Sequence, residues 1–298
     1  MSAPVLAAAA LDKRYGRRFA LRDCTVSVPA GAVAGIVGPN GAGKTTLLNL
    51  AAGLLAPTAG SIEVLGEPIE LRREHLRRVG YLAQQTPLYP SLTVGEHLRF
   101  GRELNPGWDA GLAEERVREL GLDATQRAGE LSGGQRSQLA LTLAICKRPE
   151  LLLLDEPVAA LDPLARREFL RDLMAITAEH AVSVIVSSHL IADLERICDH
   201  VVVLTSGRVV LADSVETLLA RHRRLMGPRR DPGTLAGVEV IEESHTDRQS
   251  TLLVRVEHPI DDPDWLVEEV GLEDLVLAYM GGTRNRDGEP RRLAAVAP

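Results

Sequence analysis

The sequence predicts an α/β fold with a mostly helical insertion and a small α+β appendage. Three observations carry this. Short apolar runs of strand length alternate with helical stretches, a pattern that implies parallel pairing around a core sheet. Between Thr93 and Lys147 no such run occurs, so this stretch reads as helices. Near residue 221 the composition shifts abruptly to arginine, proline and glycine, and short strand-like runs follow it.

The elements follow in order. MSAPVLAAAALDKRYG begins with an apolar stretch but has no basic residue ahead of it, so it reads as a first strand and not as a signal peptide. GAVAGIVG (31–38) is a buried strand, followed by a helix from about Lys44 to Leu54. RRVGYLA (77–83) is the next strand. The helical stretch breaks at Asn105-Pro106-Gly107 and at Gly121. LLLLD (151–155) and VSVIVSS (182–188) have the length and side chains of core strands, and VVVLTSGRVVLA (201–212) is a strand–turn–strand with its turn at Ser206-Gly207. RHRRLMGPRRDPG (221–233), with five arginines, reads as a solvated linker. VEVIEE, TLLVRVE and the helix-like GLEDLVLAYM (271–280) form the appendage. The expected organisation is therefore a main domain over 1–220 with a helical subdomain at about 86–147, a linker over 221–233, an appendage over 234–282 and a frayed tail over 283–298.

Composition narrows the function. The chain has 298 residues, 45% of them hydrophobic and 25% charged, as in an ordinary globular protein. A formal net charge of −7 gives no reason to expect nucleic acid as a partner. Cys24, Cys146 and Cys198 lack paired spacing and read as small buried hydrophobes. No run of eighteen apolar residues exists, so a membrane role has to come through a partner. Three lysines stand against thirty-one arginines, and one of the three, Lys44, lies inside the motif described next.

GPNGAGKT (38–45) fits G-x-x-x-x-G-K-[ST], follows a strand and opens a helix, which is the context this motif needs. Backbone N–H groups around its glycines close on phosphate oxygens, and the helix N-terminus adds its dipole. Lys44 reaches the β- and γ-phosphates of a nucleoside triphosphate, and the Thr45 hydroxyl ligates Mg²⁺. In LLLLDEP (151–157) Asp155 is placed to hold Mg²⁺ through its water shell, and Glu156 to polarise a water for attack on the γ-phosphate. Gly38, Asp155 and His189 each fall at the C-terminal end of a parallel strand, where ligands of open α/β sheets bind. Gln84 shares that edge within reach of Mg²⁺ or the attacking water; Gln85 is adjacent, and spacing does not choose between them. A second helix start able to receive an anion stands at LSGGQRSQLALTLAI (131–145).

In this order GPNGAGKTT, YLAQ, LSGGQ, LLLLDEP, AALD and SSH resemble the ATP-binding cassette (ABC) family over roughly residues 5 to 220. The resemblance implies a P-loop ABC ATPase core, with a mixed sheet, flanking helices and an antiparallel β part. It implies ATP and Mg²⁺ as ligands, with ATP held by Gly38, Pro39, Asn40, Gly41, Ala42, Gly43, Lys44, Thr45 and Thr46, and adenine stacked on Tyr15. By the same resemblance Gln84 senses the γ-phosphate and couples to a transmembrane partner. Ser132, Gly133, Gly134 and Gln135 close on ATP, Asp162 contacts the opposite site, Glu156 is the base, and His189 is the γ-phosphate switch. The partners implied are separately encoded membrane subunits and a second ABC subunit, expected as a homodimer closing head to tail at the inner face of the membrane. The acidic helix at the end resembles that of bacterial exporters. A soluble ABC ATPase acting on ribosomes or DNA is the alternative; such proteins usually carry two cassettes in one chain or a long coiled coil. Two departures stand out. Val158 and Ala159 replace the usual Thr-Ser, which puts the hydrogen bonding beside Asp162 in question. Gln138 takes the place of the second basic residue usual after the signature, while Arg136 remains. Neither change removes a phosphate contact or the base, so the expectation is an active ATPase.

Overall fold

The computed structural model describes residues 3–69, 73–86, 88–229 and 237–281. The strands are β1 (Leu6–Tyr15), β2 (Arg18–Val28), β3 (Val33–Val37), β4 (Ala59–Val64), β5 (Glu67–Pro68), β6 (Val79–Leu82), β7 (Leu151–Asp155), β8 (Ser183–Ser188), β9 (His200–Thr205), β10 (Arg208–Ser214), β11 (His222–Pro228), β12 (Val238–His245), β13 (Gln249–Val256) and β14 (Leu266–Glu268). The helices are α1 (Lys44–Ala51), α2 (Arg73–Arg78), α3 (Val94–Leu104), α4 (Ala110–Glu119), α5 (Gly133–Ile145), α6 (Pro163–His180), α7 (Ile191–Leu194), α8 (Val215–Arg221) and α9 (Leu272–Gly281).

The six-stranded sheet has the order β10-β9-β3-β8-β7-β6. Its strands from β9 to β6 run parallel and β10 is antiparallel at the edge. Its inner strands are buried on both faces, which is why they read as unbroken apolar runs. The two faces serve different neighbours. Leu151, Leu153 and Ile185 pack toward α1 and the antiparallel sheet β2-β1-β4-β5, whereas Leu152, Leu154, Val184 and Val186 pack toward α5 and α6. The sheet is thus clamped between two layers, and its C-terminal edge is held rigid for the groups that project from it.

The helical stretch folds as expected, with α3, α4 and α5 around a small core of Val94, Leu122, Ala128, Leu131 and Leu139. Thr93 and Glu96 form a capping box that starts α3. Asn105 caps the end of α3, and Gly121 follows α4 in a left-handed conformation with φ 60°. All three cysteines are free and buried, and burial pushes each thiol up, Cys146 to about 12, so they are inert packing groups.

The linker over 221–233 is not found where it was expected. Residues 222–228 form β11, an inner strand of the sheet β12-β13-β11-β14. His222 and Leu225 are buried, and the arginines between them find partners. Arg223 donates to the Leu219 carbonyl at 2.8 Å, and Arg224 pairs with Asp274 at 2.9 Å. Arginine lends its stem to an apolar surface while its head group stays solvated or bonded, so a basic run can be a strand. Residues 230–236 of the same stretch, and the tail from 282, lie outside the described residues.

The third sheet is also not held apart from the core. Leu272, Leu275, Val276, Ala278 and Tyr279 of α9 enter the same apolar cluster as Val201, Val203 and Leu211. Their spacing of three and four puts them on one face of the helix. Buried His222 joins the end of α8 to α9: Nδ1 bonds the Leu218 carbonyl at 2.7 Å and Nε2 meets the Tyr279 hydroxyl at 2.9 Å. Burial lowers the His222 pKa, so the ring is neutral and packs as one. Among the described residues no helix is long and apolar enough to cross a membrane.

Candidate functional site

Parallel register brings three strand ends together. Val37 pairs with Ser188, and Asp155 pairs with Ser187, so Gly38, Asp155, Glu156 and His189 all leave the sheet at one edge. The loop after β3 folds back over that edge into α1. Gly43 caps the helix at φ 111°, and a Cβ there would sit 2.6 Å from Leu21 Cδ2 and 2.7 Å from the Ala20 carbonyl oxygen. A Cβ on Gly38 would lie 2.1 Å from the Leu204 carbonyl oxygen. Both positions therefore exclude any side chain. No side chain caps α1 and no acidic residue occupies its first turn, so the N–H groups of that turn stay open to an anion.

Charges at the edge are tightly organised. Lys44 Nζ donates to the Gly38 carbonyl at 2.8 Å and pairs with Glu156 Oε1 at 3.1 Å, both side chains being only 6% exposed. Glu156 Oε2 lies 2.8 Å from His189 Nδ1. Glu156 adopts a left-handed backbone with φ 49°, a strain of order 1–3 kcal/mol that its surroundings must offset. One of those surroundings is Ser187, whose Oγ accepts the Glu156 N–H at 2.9 Å and donates to Asp155 Oδ1 at 2.7 Å. Asp155 is fully buried, and its Oδ2 has no partner in the chain. Burial and the Asp155 charge push the nearby Tyr81 hydroxyl up to about 12; it donates to Asn49 Oδ1 and ties β6 to α1.

Residues 40–46, Tyr15, Arg18, Phe19, Gln84 and Glu156 line a cleft of about 520 Å³. Tyr15 stands at its mouth, 52% exposed, with Lys13 Nζ 5.4 Å from the ring centroid. Gln84 lines this cleft. Thr45 is exposed beside Lys44. Thr45 and Gln84, which carry side-chain oxygens, line the cleft together with Glu156, the neighbour of Asp155 in sequence. Among the described residues no cluster of three or more His, Cys, Asp or Glu side chains could cage a metal. An open set of oxygen donors with an unpartnered buried carboxylate oxygen fits Mg²⁺, which keeps its waters and takes its other ligands from phosphates.

The second anion-receptive element lies elsewhere. Ser132 caps α5, its Oγ accepting from the Gln135 N–H at 3.1 Å while the Gln135 side chain takes the Ser132 N–H at 2.9 Å. Ser132, Gly134 and Gln135 line a separate cleft between α4, α5 and α6, and Gly133 opens α5 beside them. Asp162 caps α6, accepting from the Leu164 and Ala165 N–H groups at 3.0 Å each. With Val158 turned into the core, the carboxylate of Asp162 is committed to its own helix and needs no neighbouring hydroxyl.

A family model described as ABC transporter matches residues 21–159. Nod factor export ATP-binding protein I of Burkholderia lata is 36% identical over 241 residues, 76% of this chain and 77% of its own length. The chain belongs to the ABC transporter ATP-binding family. The bacitracin transport ATP-binding protein BcrA of Bacillus licheniformis is 29% identical over 91% of this chain and 96% of its own. The thiamine import ATP-binding protein ThiQ of Salmonella choleraesuis is 38% identical over 66% of this chain and 86% of its own. A solved ATP-binding subunit of an ABC transporter superposes with a TM-score of 0.65 at 29% identity, over 72% of this chain and 92% of that one. The protein is therefore an ABC ATPase, the ATP-binding subunit of a transporter complex.

Reasoning from this cassette's sequence missed three residues at the site. Arg18 and Phe19 line the cleft from β2, a strand with no continuous apolar run to announce it. Ser187 sits inside the quoted SSH, where it read as strand filling; its parallel partnership with Asp155 is the signal that places it. Ser187→Ala leaves a buried carboxylate with one fewer donor. The expected cost is about 1–3 kcal/mol of stability, measured by urea denaturation. ATPase activity at limiting Mg²⁺ is expected to fall roughly tenfold, as for other residues that orient a metal ligand. Unchanged Mg²⁺ dependence would show that Ser187 only packs.

Proposed function

We propose that this cassette drives export. In this reading two copies close head to tail on two ATP molecules, at the cytoplasmic face of the membrane, and push on separately encoded membrane subunits. The observation that carries the closure of two copies is the separation of two anion-receptive elements in one chain. Residues 40–46 line one cleft and Ser132, Gly134 and Gln135 another, so in this reading one chain holds half of two sites. Gly38 to Thr46 grip the phosphates and Tyr15 stacks on the base. Ser132, Gly133, Gly134 and Gln135 of the second copy close on the γ-phosphate, and its Asp162 loop contacts the opposite site. Export is favoured over import by how far the relatives reach. The thiamine import relative aligns with 66% of this chain, the Nod factor export relative with 76%.

Hydrolysis is in-line attack of water on the γ-phosphate. Asp155 and Thr45, with Gln84, would hold Mg²⁺, which when bound would supply neutralisation of the phosphate charge. Glu156 is the base. Without phosphate its Oε1 is engaged by Lys44; a triphosphate competes for that ammonium and releases the oxygen to bond water. His189 keeps its hold on Oε2, so the carboxylate stays oriented while one oxygen becomes available. Lys44 and His189 then stabilise the transferring charge.

Ser132→Arg tests the reading. ATP binding to the isolated chain is expected to stay within about threefold, while ATP-dependent dimerisation and turnover fall at least roughly twentyfold, since one misplaced group at a closing interface is enough to lose them. Collapse of binding in the isolated chain would show that Ser132 serves its own nucleotide.

A further inference from the structure

Gln138 is the centre of a buried polar network that spans three helices. Gln138 is buried on α5, one and a half turns after the Ser132 cap. Its Oε1 accepts from Arg116 Nη2 of α4 at 3.0 Å, and its Nε2 donates to Asp172 Oδ2 of α6 at 3.1 Å. Arg116 Nη2 also stands 3.6 Å from Asp172 Oδ2, and its Nη1 is 3.6 Å from Glu119 Oε2. Arg171 reaches the other oxygen of Asp172 from the solvent side at 3.3 Å. Arg116 is itself buried, which is rare for an arginine unless it is paired.

The geometry points to Arg116 as a positioning residue for the signature. Through Gln138 its guanidinium locks α5 to α6. These two helices carry Ser132 and Asp162 at their N-termini, the groups that the proposed dimer presents to the opposite site. The helices meet closely there: a Cβ on Gly134 would lie 3.1 Å from Ala165 Cβ. Buried polar networks transmit orientation because few geometries suit their members together; here the contacts run through Arg116 Nη1 and Nη2, with Nε left without a partner. A change of α4 relative to α6 therefore rotates the signature without touching the P-loop cleft. This inference rests on the trans reading of Ser132 above.

The test moves the charge. In the full-length chain Arg116→Gln is expected to lower ATP turnover about tenfold while the affinity of the isolated chain for ATP stays within about twofold, a displacement effect on a closing site. Arg116→Gln combined with Gln138→Arg moves the cation from α4 to α5 and is expected to restore turnover to within about threefold. Wild-type turnover in the single variant, or equal impairment of the single and the charge-relocated variant, overturns the proposal. If Arg116→Gln does not fold, Asp172→Asn keeps the volume, removes the charge, and is expected to show the same split between turnover and affinity; full turnover there overturns it too. Ser132→Arg run in the same assay separates the two readings. If Ser132→Arg stays active, the trans reading falls. If it is inactive while Arg116→Gln is fully active, only the positioning role falls.

Discussion

Glu156→Gln is expected to abolish steady-state ATP hydrolysis and to leave ATP binding intact. A positioned general base contributes about 10²–10⁴-fold, so turnover should drop by about that factor. The amide keeps the volume of the side chain and its Oε1 can still accept a hydrogen bond, so the backbone turn at φ 49° and the contact with His189 have no reason to collapse. The substitution also removes the anion that holds Lys44 at 3.1 Å. The ammonium is then free for phosphate, and ATP affinity should hold or rise. With hydrolysis blocked, ATP-bound dimers should accumulate and elute early in size-exclusion chromatography with ATP and Mg²⁺. Unchanged ATPase activity would remove Glu156 from the role of base.

Lys44→Ala carries the second large effect, and it has two separable parts. The phosphates lose their ammonium, and ATP affinity is expected to fall by at least about tenfold, as for loss of a charged contact worth roughly 1.5–3 kcal/mol. The second part is structural. Glu156 and Lys44 are a nearly buried pair, and removing one partner of a buried pair costs up to about 3–5 kcal/mol because the other charge is left behind. Here His189 stays on the carboxylate and the cleft admits water, so about 1–3 kcal/mol is the expected loss in urea denaturation. The double variant Lys44→Ala/Glu156→Gln should regain most of that stability and none of the ATP affinity. If both return together, the binding defect of Lys44→Ala is only a folding defect.

Most of the candidate site's edge could be read from the sequence because its motifs are local. GPNGAGKT must be followed by a helix for its N–H groups to point at phosphate, and LLLLD must be a buried strand for Asp155 to end at the same edge. Both conditions leave a mark within ten residues. Of the antiparallel sheet only the first strand left a mark. In β1 and β2 the alternation is broken by register shifts around Ala8, Leu11 and Lys13, with Ala10 at φ 46° and Asp23 at φ 52°. A period-two pattern cannot survive such bulges. The failure at 221–233 had a different origin: charge was taken as a sign of solvent, although His222 and Leu225 already marked an inner strand with arginines between them. Ser187 and Arg116 were illegible for a third reason. Each acts through a partner far along the chain, 32 residues away for Asp155 and 22 for Gln138, and no local pattern records such a meeting.

The packing of α9 bears on how such a chain can drift. Five of its residues plug the apolar face beside β9, and that face borders α7, the segment directly after His189. A lineage cannot shed this helix without baring a greasy surface prone to aggregation. The outer edge of β12 is under no such demand, and Glu242 and Glu243 are exposed there. Divergence among descendants should therefore gather on that rim, while the inward stripe of α9 stays nearly frozen, and the rim is where new allegiances can be tried without endangering the engine beneath.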